Sequence, residues 1–337
     1  MNSDSVAIVR DESSAVTRVE PERKPARVTL SVVVPLYNEE LVIHAMYERL
    51  SRVLKQCVDS FEVVMVNDGS RDRTLELARE ICAKDAAIKL VNLSRNFGHQ
   101  LAITAGMDRC SGECVVIIDA DLQDPPEVIP KMLEKWRNEG CQVVYGVRAK
   151  RKGETWFKRF TAKMFYRTLR KMTAVSIPVD TGDFRLMDRR VLGEFLKMRE
   201  QARFVRGMVS WVGFKQGEVV FEREERFAGE TKYPFKKMLK FAIDGILSFS
   251  QVPLKVASAF GFVSAAISFL FMIYGFVAWT FFPDRVVPGW ASLFSAILFI
   301  GGVQLICLGI LGEYVGRIYE EVKKRPLYIV QDEVNFE

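Results

Sequence analysis

The sequence predicts an α/β domain built on a mostly parallel sheet, followed by an interfacial helix and a two-helix membrane hairpin. Three observations carry that expectation. Between Thr29 and Val147, short Val/Ile-rich runs alternate with amphipathic stretches, the pattern of strands buried on both faces beneath helices. Polar turns follow three of those runs, where ligands bind in parallel α/β sheets. Farther on, Val256–Phe282 and Val286–Gly312 hold no charged residue over 27 positions each.

The elements follow in order. Met1–Leu30 carries five basic and five acidic residues and no apolar run, so residues 1–28 are expected as a disordered tail rather than a signal peptide. Strands are expected at Ser31–Pro35, Phe61–Val66, Ile88–Asn92, Cys114–Ile118 and Gln142–Gly146. Helical periodicity fits Glu40–Gln56, Arg73–Lys84, His99–Arg109 and Pro126–Asn138. Neither the glycine pattern of dinucleotide sites nor a Gly-Lys-Ser/Thr phosphate loop occurs, which sets hydride transfer and P-loop chemistry aside. The globular unit is expected to span 29–233.

Arg148–Lys171 then holds ten Lys/Arg against the single Glu154, although the whole chain is only +6. Charge this concentrated points to a phosphate or to lipid headgroups rather than to nucleic acid. The interleaved Trp156, Phe157, Phe160, Phe165 and Tyr166 favour a membrane surface. Pro178–Arg226 mixes short elements. Phe235, Met238, Leu239, Ala242, Ile246 and Phe249 recur at helical spacing, so 234–254 is expected as an amphipathic helix lying in the interface.

Two spans, at about 256–282 and 286–312, make up a hairpin over 255–317, since about 20 apolar residues cross a bilayer core. Lys255 precedes the hairpin and Arg317, Lys323, Lys324 and Arg325 follow it, while the connecting loop offers Asp284 and Arg285. The positive-inside bias puts both free ends, and with them the globular unit and the 318–337 tail, in the cytoplasm.

At 337 residues, 49% hydrophobic and 27% charged, the chain has room for about two units and is neither disordered nor collagen-like. Six cysteines without a Cys-x-x-Cys pair, beside two histidines, speak against a zinc site. They read as small apolar residues in a reducing compartment.

The sharpest chemical signal is Asp119-Ala120-Asp121, directly after Cys114–Ile118. Residues two apart on extended backbone point to one side, so both carboxylates can converge on one hard cation. Asp124 lies just beyond, before Pro125-Pro126. Ser31–Pro35 runs into Leu36-Tyr37-Asn38-Glu39-Glu40, and Phe61–Val66 into Asn67-Asp68-Gly69-Ser70. At the lip of a nucleotide pocket, Asp68 could accept hydrogen bonds from a base or ribose; elsewhere the same motif is an ordinary turn.

Ser31–Glu40, Asn67–Ser70, Asn96-Phe97-Gly98, Asp119–Asp124, Thr181-Gly-Asp-Phe-Arg-Leu-Met187 and Arg226–Tyr233, with the hairpin, together resemble glycosyltransferase family 2. Within it the set is similar to the polyprenyl-phosphate glycosyltransferases, the bactoprenol glucosyltransferase and dolichol-phosphate mannose synthase group. The resemblance covers about residues 29–325. It implies a GT-A nucleotide-diphospho-sugar fold and inverting transfer of one sugar, most simply from UDP-glucose or a related UDP-sugar, to a polyprenyl phosphate such as undecaprenyl phosphate, at the bacterial inner membrane.

Carried over by motif, Pro35, Tyr37 and Glu39 would wall the nucleoside pocket and Asp68 would meet the base. Asp119, Asp121 and Gln123 would hold Mg²⁺ or Mn²⁺ and the diphosphate, and Arg148 would receive the acceptor phosphate. Arg203, Arg206 and Lys232 stand as candidates for the donor phosphates or a closing loop, or as surface cations. Asp183 would lie beside the reacting centre. Because a phosphate monoester is largely ionised near neutrality, it is expected to orient a substrate rather than to serve as a strong base, unless it only pairs with Arg185. A second copy of the chain is admitted as a partner; a downstream flippase and a second glycosyltransferase follow from the resemblance.

Two other readings compete. A processive polysaccharide synthase normally carries Gln-x-x-Arg-Trp and more spans, whereas this chain has Gln201-Ala-Arg-Phe-Val205 and two. A non-catalytic, membrane-tethered nucleotide-sugar binder would not need the Asp119/Asp121 pair.

Overall fold

The computed structural model describes residues 29–149, 181–223, 252–281 and 289–336. The tail at 1–28, the basic stretch after Ala149, Lys232 and most of the interfacial segment at 234–254 lie outside the described residues.

The first half alternates as expected: β1 (Thr29–Leu36), α1 (Ile43–Cys57), β2 (Ser60–Asn67), α2 (Thr74–Lys84), β3 (Ile88–Leu93), α3 (His99–Arg109), β4 (Cys114–Ile117), α4 (Ile129–Asn138) and β5 (Val143–Arg148). Then come β6 (Thr181–Asp188), α5 (Arg189–Lys197), α6 (Val205–Trp211), β7 (Gln216–Phe221), α7 (Val252–Phe281), α8 (Trp290–Val322) and β8 (Val330–Val334). One sheet takes all eight strands in the order β7-β5-β6-β4-β1-β2-β3-β8. The β4-β1-β2-β3 centre is parallel, while β6 runs antiparallel between β4 and β5 and β8 antiparallel beside β3.

The period-2 geometry of a strand explains the layering. On β1, Val32 and Val34 enter a core with Ile43, Met46, Leu50 and Leu54 of α1, while Val33 faces the other way. There Val33, Val64 and Val66 meet Ala102, Ile103 and Phe195. Both faces are covered, which is why the strands read as unbroken apolar runs.

Several boundaries move. Helix α1 starts at Ile43 rather than Glu40, and Pro126–Val128 is a 3-10 turn before α4. Strand β5 extends to Arg148, so that arginine caps a strand. The larger correction concerns 318–337, expected as a separate tail. Helix α8 runs on to Val322 and the chain then returns to the globular unit as β8. Leu327 is buried there, and Arg109 and Arg79 hold Glu333 and Asp332 at 2.6 Å and 2.8 Å. The sheet is therefore not closed within 29–233.

Helices α7 and α8 are long and apolar enough to cross a membrane. At 30 and 33 residues they measure about 45–50 Å against a core of about 30 Å. Phe262, Phe271 and Leu305 stand exposed on them, the reverse of a soluble core helix. The pair touches where Cys307 Sγ donates to the Ala257 carbonyl.

Candidate active site

The carboxyl ends of β1, β2, β3 and β4 deliver their turns to one rim, and β6 enters it from the other direction. Register explains the meeting. Ile117 of β4 pairs with Arg185 of antiparallel β6, so two residues onward Asp119 comes opposite Asp183. Sequence distance hides this contact; antiparallel pairing creates it.

Asp183 is 5% exposed and held from several sides. Arg206 on α6 donates to it through Nε at 3.0 Å and Nη2 at 3.3 Å. His99 Nε2 and Gln100 Nε2, from the first turn of α3, lie 3.3 Å from Oδ2. Arg185 Nη2 stands 3.8 Å away and donates to the Gly182 carbonyl, while its Nε donates to the Asp183 carbonyl. Burial works against the Asp183 charge, but Arg206, His99 and Arg185 outweigh it and hold the carboxyl well below the usual range. Burial likewise disfavours the His99 cation, yet Asp119 and Asp183 lift the imidazole to about 9.

Asp119 is treated differently. Its Oδ1 is buried without a hydrogen-bond partner, since His99 Nε2, at 3.5 Å, is an ion-pair neighbour without hydrogen-bond geometry. Burial pushes this carboxyl up to about 6, against the pull of His99 and with the push of Asp183, Asp124 and Asp121. Leu122 then takes the left-handed conformation, φ 58°, and turns the chain so that Gln123 N donates back to Asp121 Oδ1 at 3.2 Å.

Asp124 is 1% exposed and faces two arginines. Arg148 Nη2 reaches its oxygens at 3.3 and 3.4 Å, and Arg223 Nε stands 3.8 Å away. The glycine of Thr181-Gly182-Asp183 makes the room, for a Cβ there would lie 2.6 Å from Arg148 Nη2. Arg148 and Arg223 each keep a buried Nε without a hydrogen-bond partner.

Asp68 is also buried, and the chain itself uses most of its carboxylate. It accepts from Phe97 N at 2.7 Å, Gly98 N at 2.9 Å and Asn96 Nδ2 at 3.0 Å. Three of roughly four acceptor sites thus hold the 96–98 turn against the 67–70 turn, and the expectation of a carboxylate open to a base is narrowed accordingly. The approach is close: a Cβ on Gly69, at φ +62°, would stand 2.4 Å from Asn96 N. Tyr37 is half-exposed on the same rim, Pro35 is buried in β1, and the Glu39 amide donates to Thr74 Oγ1 at 2.8 Å.

Arg203 does not join the rim. It is 8% exposed, with its guanidinium 4.9 Å from the Phe195 ring centroid and Nη1 donating to the Met198 carbonyl. Its position in the α5–α6 link turns it into the core beside α5, so the expected phosphate contact is withdrawn. The structure brings Asp119, Asp183 and Arg206 together and sets Asp124 and Arg148 beside them. It adds three residues that sequence reasoning passed over: His99, Gln100 and Arg223. The available signal was two polar residues opening a helix directly after Asn96-Phe97-Gly98.

A mixed, mostly parallel sheet whose strand ends gather an Asp-x-Asp turn defines the class: a GT-A glycosyltransferase, here joined to a membrane hairpin. Residues 31–196 match Glycosyl transferase family 2, and residues 252–318 match the GtrB C-terminal hairpin. The chain is 55% identical to the glycosyltransferase YkcC of Bacillus subtilis (strain 168), over 92% of this chain and 95% of that one. It is 40% identical to the prophage bactoprenol glucosyl transferase homolog of Escherichia coli (strain K12), over 90% and 98%. Glucosyl-3-phosphoglycerate synthase from Mycobacterium tuberculosis, solved with Mn²⁺, UDP-glucose and phosphoglyceric acid, is 20% identical with a TM-score of 0.45, over 66% of this chain and 78% of that one. The chain belongs to glycosyltransferase family 2.

Proposed function

We propose that the protein transfers one glucosyl unit, or a closely related sugar, from a UDP-sugar to a polyprenyl phosphate such as undecaprenyl phosphate. A phosphate oxygen of the lipid attacks the anomeric carbon, the bond from that carbon to the diphosphate breaks, and the configuration inverts. The nucleoside diphosphate leaves with the electron pair. The product would serve a downstream flippase and a second glycosyltransferase.

The observation that carries this reading is the buried Asp119 oxygen without a hydrogen-bond partner, at the end of β4 and beside Asp121. Burying an unmet carboxylate oxygen is costly, and a divalent cation, Mg²⁺ or Mn²⁺, fits that demand. Among the described residues no group of three or more His, Cys, Asp or Glu is placed to cage a metal. Asp119 and Asp121 would therefore hold the ion with substrate oxygens completing its shell. When bound, it supplies charge compensation for the leaving diphosphate.

The protein's own residues do the remaining work. The Tyr37 and Asp68 turns, with Pro35 and Glu39, form the nucleoside wall, and Gln123 reaches the diphosphate side. Asp183, fixed by Arg206 and His99, orients the sugar or the acceptor. Arg148, with Arg223, receives the lipid phosphate, for which a guanidinium fork is well matched. The relatives named as bactoprenol glucosyl transferases support the acceptor class. The hairpin, basic at both free ends, supports a cytoplasmic catalytic domain in the bacterial inner membrane.

The test is a panel of nucleotide sugars offered to purified full-length protein with polyprenyl phosphate and Mn²⁺, reading lipid-extractable label. UDP-glucose or a related UDP-sugar should label the lipid once per acceptor; an unlabelled lipid, or a growing polymer, would overturn the reading. In intact cells, a cysteine placed at Asp284 should react with an impermeant thiol reagent from outside. Protection there, with labelling at Ser3, would reverse the topology.

A further inference from the structure

Asn67, Asn92 and Asp332 stand side by side on three adjacent strands. Register pairs Asn67 with Asn92 across β2 and β3, and Asn92 with Asp332 across β3 and β8. Their side chains are linked in the same direction. Asn67 Nδ2 donates to Asn92 Oδ1 at 2.9 Å, and Asn92 Nδ2 donates to Asp332 Oδ2 at 2.6 Å. Both asparagines are 2% exposed, so neither amide has water as a ready substitute.

The relay ends in the rim. Asn67 Oδ1 accepts from Ser70 N at 3.4 Å, and Ser70 Oγ accepts from Asn38 N at 3.1 Å. Those two turns carry Asp68 and Tyr37. One strand over, Ser94 N donates to the Ile329 carbonyl at 3.0 Å, just before the segment whose N–H groups feed Asp68. The returning segment therefore reaches towards the rim by two routes, one through backbone and one through the side-chain relay.

Strand pairing alone does not require this. β8 is an edge strand, and its backbone ladder would stand with any polar residue at 332. What Asp332 adds is an acceptor for a buried amide. Without it Asn92 Nδ2 is unmet, a state proteins avoid, and the amide can turn to another partner and release Asn67.

We propose that Asp332 is a positioning residue for the nucleotide-sugar rim, acting through Asn92 and Asn67 on the 67–70 turn. The proposal rests on the transferase reading above. It gives the end of the membrane hairpin a mechanical tie to the donor pocket, since only residues 323–329 separate α8 from β8.

The experiment uses the full-length protein and measures UDP and UDP-glucose binding, donor and lipid-phosphate KM, and kcat. Asp332→Ala should weaken UDP binding and raise the donor KM by about fivefold, the weight of one hydrogen bond, with kcat and the lipid-phosphate KM unchanged. Arg79→Ala removes the exposed ion pair to Asp332 but leaves the relay, and should leave donor KM unchanged. Asn92→Asp, which sets two carboxylates face to face, should reproduce the defect, and adding Asp332→Asn should reverse it by restoring a donor and acceptor pair. If Asp332→Ala fails to fold, that swap decides alone. Unchanged donor binding in Asp332→Ala or Asn92→Asp, or a fall in kcat with an equal rise in both KM values, would overturn the proposal. A wild-type protein that binds none of the nucleotide sugars would take down the transferase reading and this proposal together, whereas wild type that binds UDP-glucose no better than Asp332→Ala takes down this one alone.

Discussion

Two polar arrays flank β1, and they are built on opposite terms. On the β4/β6 side, Asp119 buries one oxygen without a hydrogen-bond partner, and Arg148 and Arg223 each bury an Nε in the same condition. On the β2/β3 side, polar groups find their partners within the chain. Asn67 and Asn92 are linked to each other and to Asp332. Glu62, 4% exposed, accepts from Ser31 Oγ at 2.5 Å, Ser111 N at 2.6 Å and Ser111 Oγ at 2.9 Å, and pairs with Lys89 at 2.8 Å. A group fully satisfied by its own protein has no interaction left to give a ligand. Under the proposed function, the β2/β3 array mainly supports the rim, while the unmet groups on the β4/β6 side are the ones left to meet the ion and the phosphates.

The hardest test of that contrast is to remove the demand at Asp119. Asp119→Asn should lower transfer by about three orders of magnitude, because the lost charge compensation is worth several kcal/mol in the transition state. It should leave stability unchanged or raised, since burial disfavours this carboxylate despite the His99 cation beside it. Turnover and thermal unfolding check the two halves. Near-normal turnover, or near-normal turnover of chelator-treated wild type, would break the contrast.

A milder change sharpens it. Arg148→Lys keeps a cation beside Asp124 but loses the two-pronged geometry. The lipid-phosphate KM should rise about tenfold while UDP binding stays the same, as read by initial rates and direct titration. An equal loss of UDP binding would move Arg148 to the diphosphate side.

The smallest effect belongs to the saturated side. Burial alone would raise the Glu62 carboxyl, but Lys89, Ser111 and Ser31 outweigh it and hold it below its ordinary value. A depressed carboxyl contributes stability that is present above its unfolded pKa and lost as pH falls through its folded one. Glu62→Gln should therefore cost about 1–3 kcal/mol near neutrality, with little change in transfer, and flatten the loss of stability on acidification. Denaturant unfolding between pH 7 and pH 3 measures both.

The parallel centre of the sheet was legible because burial on both faces demands unbroken Val/Ile runs, as at Val32–Val34 and Val63–Val66. β6 was not, since Thr181–Asp188 buries Asp183 and Arg185, which compensate one another, and so lacks an apolar signature. β8, Val-Gln-Asp-Glu-Val, reads as polar tail because one edge of the strand stays in water. Within the site, the Asp119 turn announced itself by spacing along one strand. His99 did not, since its meaning comes from a residue 84 positions away. Arg203 misled for the converse reason: its partners are a ring and a carbonyl, which composition does not mark.

The late position of β8 bears on how the molecule is made. The chain leaves the ribosome from its N-terminus, so β3 appears long before Val330–Val334. During that interval β3 is an open edge, the feature of a sheet most prone to pairing with the wrong chain. The two apolar helices are made next, and only then can the last strand swing back and seal the edge. Assembly is thereby ordered: the sheet is completed only after both apolar helices of the hairpin have been synthesised.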